Sequence, residues 1–328
     1  MKVKFIILRF SSIGDIVLTT PVIRCLKEQV EGAEIHFVTK KKFASVVADN
    51  PYIDKIHLLD GKLKSLIEEL RQEECDHIID LHHNLRTYIV KKKLGLFAFS
   101  FDKINIQKWL MVQFKINKLP QKHIVDRYLE TCRLFDVTND GKGLDFFINP
   151  KNEIEISQLP SFLQNGYIAL VIGGMHGTKQ MPNAKLAELS NKLNLPVVLL
   201  GGPDDSQAAE SIINESKNAN IFNACGKYNL QQSASIVKQA KLVIAHDTGL
   251  MHIAAAFKKR IISIWGNTIP EFGMYPYVSD ENQAIFEVKG LKCRPCSKIG
   301  YKKCPKGHHN CMNLIDVNKI AEKANSWI

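Results

Sequence analysis

The chain has 328 residues, 45% of them hydrophobic and 23% charged. Those values exclude disordered, collagen-like and disulfide-miniprotein chains, and the length suits two domains or one large one. Lysine and arginine number 44 against 33 aspartates and glutamates, a net charge of +11. Such an excess favours an anionic partner: nucleic acid, an anionic membrane surface or a phosphorylated ligand.

Apolar runs alternate with amphipathic stretches along the whole chain. In the first half, strands are expected at Lys4–Arg9, Glu34–Val38, Lys55–Leu59 and His77–Leu81. Helical periodicity covers Ile16–Val30, Phe43–Ala48, Leu63–Arg71 and Leu85–Leu94. In the second half, strands are expected at Tyr167–Ile172, Val197–Leu200, Leu242–Ala245 and Ile261–Trp265. Helices are expected at Ala184–Leu193, Ser206–Glu215, Leu250–Phe257 and Val317–Trp327. Strands separated by helix-length segments predict parallel sheets with covering helices. A stretch rich in Pro, Asn and Gly near 149–166 marks a boundary. The expected domains are therefore 1–155 and 156–328, two Rossmann-like units with a ligand cleft between them.

Four polar turns follow predicted strands. Ser11-Ser12-Ile13-Gly14-Asp15 follows the first; Asp15 suits a helix N-cap first and a general base as the sharper alternative, the two not being exclusive. Gly173-Gly174-Met175-His176-Gly177-Thr178-Lys179 resembles a phosphate cradle but lacks P-loop spacing. Lys179 would supply a point charge to a phosphate, or stand as a solvated surface lysine. Gly201-Gly202-Pro203-Asp204-Asp205 offers a carboxylate for ribose hydroxyls or for a helix cap, with the two aspartates indistinguishable. His246-Asp247-Thr248-Gly249 precedes a helix whose free N–H groups suit a pyrophosphate, with His252 one turn further on. A structural cap and a core histidine are the plain alternative there. Together these turns have the composition of a nucleotide-diphosphate site with a base opposite it.

The N-terminal apolar run is broken by Arg9 and too short for a signal-peptide core. No stretch approaches the roughly 20 apolar residues of a membrane span. A cytoplasmic location is expected. Of eight cysteines, Cys25, Cys75, Cys132 and Cys225 read as buried thiols. Cys293, Cys296, Cys304 and Cys311, with His308 and His309, offer enough ligands for a structural zinc; free thiols or a redox-labile pair are the competing readings.

The opening ILRFSSIGDIVLTTPVIRCLK resembles the N-terminal signature of glycosyltransferase family 9, the lipopolysaccharide heptosyltransferases. HDTGLMHIAAAFKKRIISIWGNT resembles their C-terminal signature, and CRPCSKIGYKKCPKGHHNCM a cysteine-rich segment of many members. The resemblance implies a GT-B fold, two Rossmann-like domains with parallel sheets facing across a cleft. It implies an acceptor-binding domain followed by a nucleotide-sugar donor-binding domain that carries the Cys-rich segment 293–311. It implies inverting transfer, without a catalytic metal, of heptose from ADP-heptose to a lipid A/core oligosaccharide acceptor. It also implies a peripheral position on the cytoplasmic face of the inner membrane.

Carried over by motif, Asp15 matches the general base and Lys179 a lysine at the donor phosphates, with Thr178 beside it. Asp204 matches an acidic residue on the donor ribose, and Asp247 an aspartate near the sugar. Thr248 and Gly249 match backbone donors to the pyrophosphate, and His252 a nearby histidine. Where the family usually has Trp before Pro, this chain has Met181. The alternatives are a GT-B enzyme with another donor, an epimerase, or a basic zinc-containing nucleic-acid-binding protein. Short dispersed basic runs and strand-end aspartates argue against nucleic acid.

Overall fold

Each apolar run predicted as a strand forms part of a parallel sheet in the computed structural model, which describes residues 2–328. The chain divides into two compact units. The first comprises the chain up to Lys103 together with Lys122–Phe147; the second comprises Ile104–Gln121 and Ile148–Ile328.

The first unit contains β1 (Val3–Leu8), α1 (Ile13–Val17), α2 (Thr20–Gln29), β2 (Ala33–Lys40), β3 (Lys55–Leu59), α3 (Leu63–Gln72), β4 (His77–Asp80), α4 (Leu85–Leu94) and β5 (Phe97–Ser100). Its sheet order is β3-β2-β1-β4-β5, all parallel. Central β1 buries Phe5, Ile6, Ile7 and Leu8 completely, as a strand covered on both faces must. Leu66, Ile67 and Leu70 of α3 pack into the same core as Ile6, Leu8, Val38 and Ile78. The single helix expected over Ile16–Val30 is divided at Leu18–Thr19 into α1 and α2. Pro21 lies in the first turn of α2, where its missing N–H forfeits no helical bond.

The second unit begins with α5 (Asn105–Phe114), which sequence periodicity did not predict. The later chain gives β6 (Ile168–Val171), β7 (Val197–Leu200), β8 (Ile221–Asn223), β9 (Leu242–His246), β10 (Ile261–Trp265) and β11 (Gln283–Glu287). The helices here include Asn183–Ser190, Gly249–Ala256 and the C-terminal Val317–Asn325. Sheet order is β11-β10-β9-β6-β7-β8, again parallel. Ile168, Leu199, Ile244 and Ile264 share one core with Leu186, Ile212 and Ile320.

The expected boundary at 155/156 is corrected in two respects. The change of unit falls at Phe147–Ile148, and 104–121 belongs with the second unit. The stretch after Ile148 is held to the second unit by hydrogen bonds: Asn149 N–H donates to Gln231 Oε1 at 3.0 Å and Ile154 N–H to Ser235 Oγ at 2.9 Å. Proline and poor periodicity marked a linker there, but not which unit its backbone pairs with.

Candidate active site

In the second sheet the order reverses between β6 and β9: after β6 the chain moves outward to β7, and later returns to place β9 on the other side. Ligands of open parallel sheets bind beyond the strand carboxyl ends at such a switch point. Lys179 lies beyond β6 and Asp247 directly after β9, and Lys179 Nζ stands 2.5 Å from Asp247 Oδ2. Thr268, beyond β10, donates its hydroxyl to the same oxygen at 3.3 Å. Thr248 is the N-cap of the helix Gly249–Ala256, and its buried hydroxyl has no hydrogen-bond partner among the described residues. Three strand ends thus deliver a lysine, a carboxylate, two threonine side chains and a helix start to one place.

His246 stiffens this turn from below. Met181 N–H donates to its Nε2 at 3.0 Å, so that nitrogen carries no proton. Burial pushes its pKa down to about 4. Met181, at the position of the family's tryptophan, is itself part of the hydrophobic core. His252 is likewise buried.

Thr178 takes a different place from the one expected at the phosphates. Its hydroxyl donates to Tyr301 O at 3.1 Å and accepts from Tyr301 N–H at 2.8 Å, and the side chain is buried. The hydroxyl is therefore spent on pinning the Cys-rich segment to the turn. The two aspartates that sequence could not separate also divide. Asp205 Oδ2 accepts the Gly202 N–H at 2.8 Å, and burial raises its carboxyl pKa. A Cβ on Gly201 would lie 2.7 Å from that of Asp205, which explains a glycine there. Asp204 is exposed on the same turn.

The first sheet has its own switch point, between β1 and β4. Arg9, the charge that interrupts the first apolar run, lies buried across it. Its Nη1 donates to Leu81 O after β4 and to Tyr128 Oη at 2.9 Å, and its Nε to Ser11 O at 2.8 Å. Its Nη2 stands 2.6 Å from Asp15 Oδ1. Burial lowers the arginine's proton affinity, but Asp15 with Tyr128 and Asp80 together outweigh this and the pKa is raised. Asp15 Oδ2 accepts from Ser12 N–H at 3.1 Å and from Ser12 Oγ at 2.6 Å. The helix N-cap is Ser12, not Asp15; Asp15 sits in the first turn and reaches back to the Ser12 N–H in a capping box, and its partly exposed carboxylate is also held by an arginine. Sequence reasoning missed Arg9, Tyr128 and Thr268. Arg9 alone carried a signal, being a charge inside a buried strand run.

Beside the donor-like turn, Cys293, Cys296 and Cys304 are half-buried and Cys311 buried, all as free thiols. Burial and the neighbouring cysteines push the Cys311 thiol up to about 11. Cys293 Sγ lies 3.9 Å from His308 Nε2. The donor types suit zinc, but the sulfurs do not converge on one point. Among the described residues, the group of three ligand atoms all within 4.8 Å is instead His36, His57 and Glu73.

Two parallel α/β units, each with polar side chains gathered at its switch point, give the two-domain fold of the GT-B type. The chain belongs to glycosyltransferase family 9 (heptosyltransferase), whose profile matches residues 63–305. It is 25% identical over 288 residues to lipopolysaccharide heptosyltransferase 1 of Campylobacter coli, covering 81% of this chain and 84% of that one. It is 24% identical over 336 residues to lipooligosaccharide heptosyltransferase 2 of Campylobacter jejuni, covering 96% and 95%. The solved structure of E. coli ADP-heptose LPS heptosyltransferase II superposes with a TM-score of 0.75 at 19% identity, covering 100% of this chain and 98% of that one.

Proposed function

We propose that this glycosyltransferase transfers heptose from ADP-heptose to a lipopolysaccharide core acceptor, with inversion at the anomeric carbon. The observation that carries the donor half is the junction of Lys179, Asp247 and Thr248 at one switch point. A nucleotide diphosphate leaving group gains negative charge as its bond to the sugar breaks. A lysine and the N–H groups at Gly249 offset that charge where it develops. The diphosphate displaces Asp247 from Lys179, and Asp247 then turns to the sugar. Asp204, exposed on its turn, takes the donor ribose.

Asp15 removes the proton of the attacking acceptor hydroxyl. The new C–O bond forms from that oxygen, the bond from sugar to phosphate breaks, and ADP departs with the electron pair. Arg9 and Ser12 fix the carboxylate's position, which a base within hydrogen-bond reach requires. The acceptor is lipid-borne, so the protein works at an anionic membrane face. The described residues contain no helix long and apolar enough to cross a membrane, and association is peripheral in this reading.

A donor panel tests the assignment: ADP-heptose, other ADP-sugars, UDP- and GDP-sugars, each read by nucleotide release with and without core acceptor. Release from ADP-heptose that requires acceptor is expected. Turnover with a UDP- or GDP-sugar alone would replace the donor.

A further inference from the structure

The net charge is not spread evenly over the chain. Residues 104–121 and 288–315 hold ten of the 44 lysines and arginines and none of the 33 aspartates and glutamates. The remainder of the chain is balanced to within one charge. These two segments, far apart in sequence, meet in the second unit. Lys115 Nζ donates to Pro295 O at 2.7 Å, and Lys298 Nζ lies 3.5 Å from Asn105 Oδ1.

The helix of the first segment, α5, buries none of its ten residues. Ile106 is 72%, Trp109 53% and Phe114 59% exposed. Residues three and eight apart fall on the same side of a helix, so Ile106, Trp109 and Phe114 share one broad face. The Trp109 and Phe114 rings meet edge-on at 5.2 Å. Ile299 of the second segment is 54% exposed. Glu287, just outside the second segment, pairs with Arg294 and reaches Lys289, and the other cations leave the face basic; large apolar side chains held in water there are unfavourable for an isolated protein. They suit a helix that lies in a bilayer interface, with tryptophan at headgroup depth and lysines toward anionic lipid. A second copy of this chain would bring the same cations against these, and like charges would oppose it.

We propose that α5 and the basic Cys-rich segment form one docking face for an anionic bilayer, with Ile106, Trp109 and Phe114 entering the interface. The proposal rests on the reading of a lipid-borne acceptor, but it is tested without donor or acceptor.

The full-length protein is sedimented with phosphatidylcholine vesicles and with vesicles containing phosphatidylglycerol. Binding to the second kind only is expected, with a blue shift of tryptophan emission. Ile106→Ser/Trp109→Ser/Phe114→Ser should weaken that binding at least ten-fold, while turnover on a soluble, delipidated acceptor stays unchanged. Lys118→Gln/Lys298→Gln/Lys303→Gln should weaken it and flatten its salt dependence. Equal binding by wild type and the apolar variant overturns the proposal, as does wild type ignoring anionic vesicles. A concentration-dependent dimer abolished by the apolar variant assigns the face to a second copy and overturns it too. Loss of turnover in wild type would count against the sugar-transfer reading and leave the vesicle result standing.

Discussion

Lys179 Nζ and Asp247 Oδ2 stand 2.5 Å apart, joining the turn beyond β6 to the end of β9. They are 68 residues apart in sequence and meet because their strands are neighbours at the sheet's switch point. A lysine already paired to a carboxylate is poised to exchange that partner for a diphosphate. Replacing Lys179 with alanine should lower kcat/KM for the donor by about 100- to 1000-fold, the scale of one removed charge-stabilising donor. Steady-state kinetics over a donor series checks it, and a loss under about ten-fold would put the diphosphate elsewhere.

Asp15→Asn preserves the size of the side chain and removes its basicity. Turnover should fall by at least about 100-fold, the usual worth of a positioned general base. Donor affinity, measured by calorimetry with ADP, should stay within about two-fold. Wild-type turnover in this variant would leave Asp15 only its capping role.

Arg9 connects Asp15, Leu81 and Tyr128 while buried. Arg9→Met removes the charge partner of Asp15 and strips hydrogen bonds from the other two. Because Asp15 is partly exposed, the cost falls below the roughly 3–5 kcal/mol of a fully buried pair, and is readable as a lowered urea midpoint. An unchanged midpoint would mean that the guanidinium is not holding this switch point together.

His246 gives a pH dependence of known sign. Its folded pKa, about 4, lies below the ordinary value because burial opposes the charged ring. The stability it contributes is present above the unfolded value of about 6.5 and is lost as pH falls toward 4. The unfolded state takes up one more proton in that window, a slope of about 1.4 kcal/mol per pH unit. In His246→Gln the amide oxygen still accepts the Met181 N–H, and that share of the slope should vanish. Urea titrations from pH 7 to 4.5 decide it.

A structural zinc on Cys293, Cys296, Cys304 and Cys311 remains a proposal from ligand type. The sulfurs would have to draw together around the ion, toward the roughly 2.3 Å Zn–S distance. Elemental analysis of purified protein should then find about one zinc per chain. Less than about 0.2 would reject it.

Much of this architecture was legible locally. Lys55–Leu59, Val197–Leu200 and Ile261–Trp265 form with their predicted ends, because short apolar runs between turn residues have few other ways to be buried; Leu85–Leu94 does so between its Asn84 and Gly95 caps. The short strands β5, β8 and β11 were not read. Their half-exposed edge positions lack the apolar continuity of central strands. The α5 helix was missed because its apolar stripe faces no core, so periodicity there did not indicate burial.

The sequence by itself determined the alternation of strands and helices, the polar turns at strand ends and the family these motifs resemble. It also carried the net charge, and the absence of carboxylates from 104–121 and 288–315 could be counted directly. Only the tertiary structure decided that those two segments meet, that Arg9 crosses to Leu81, and that Lys179 pairs with Asp247. Only it assigned Thr178 to Tyr301 and Asp205 to its turn. The reason is physical: local pattern specifies what a segment buries, whereas strand order specifies which distant segments become neighbours.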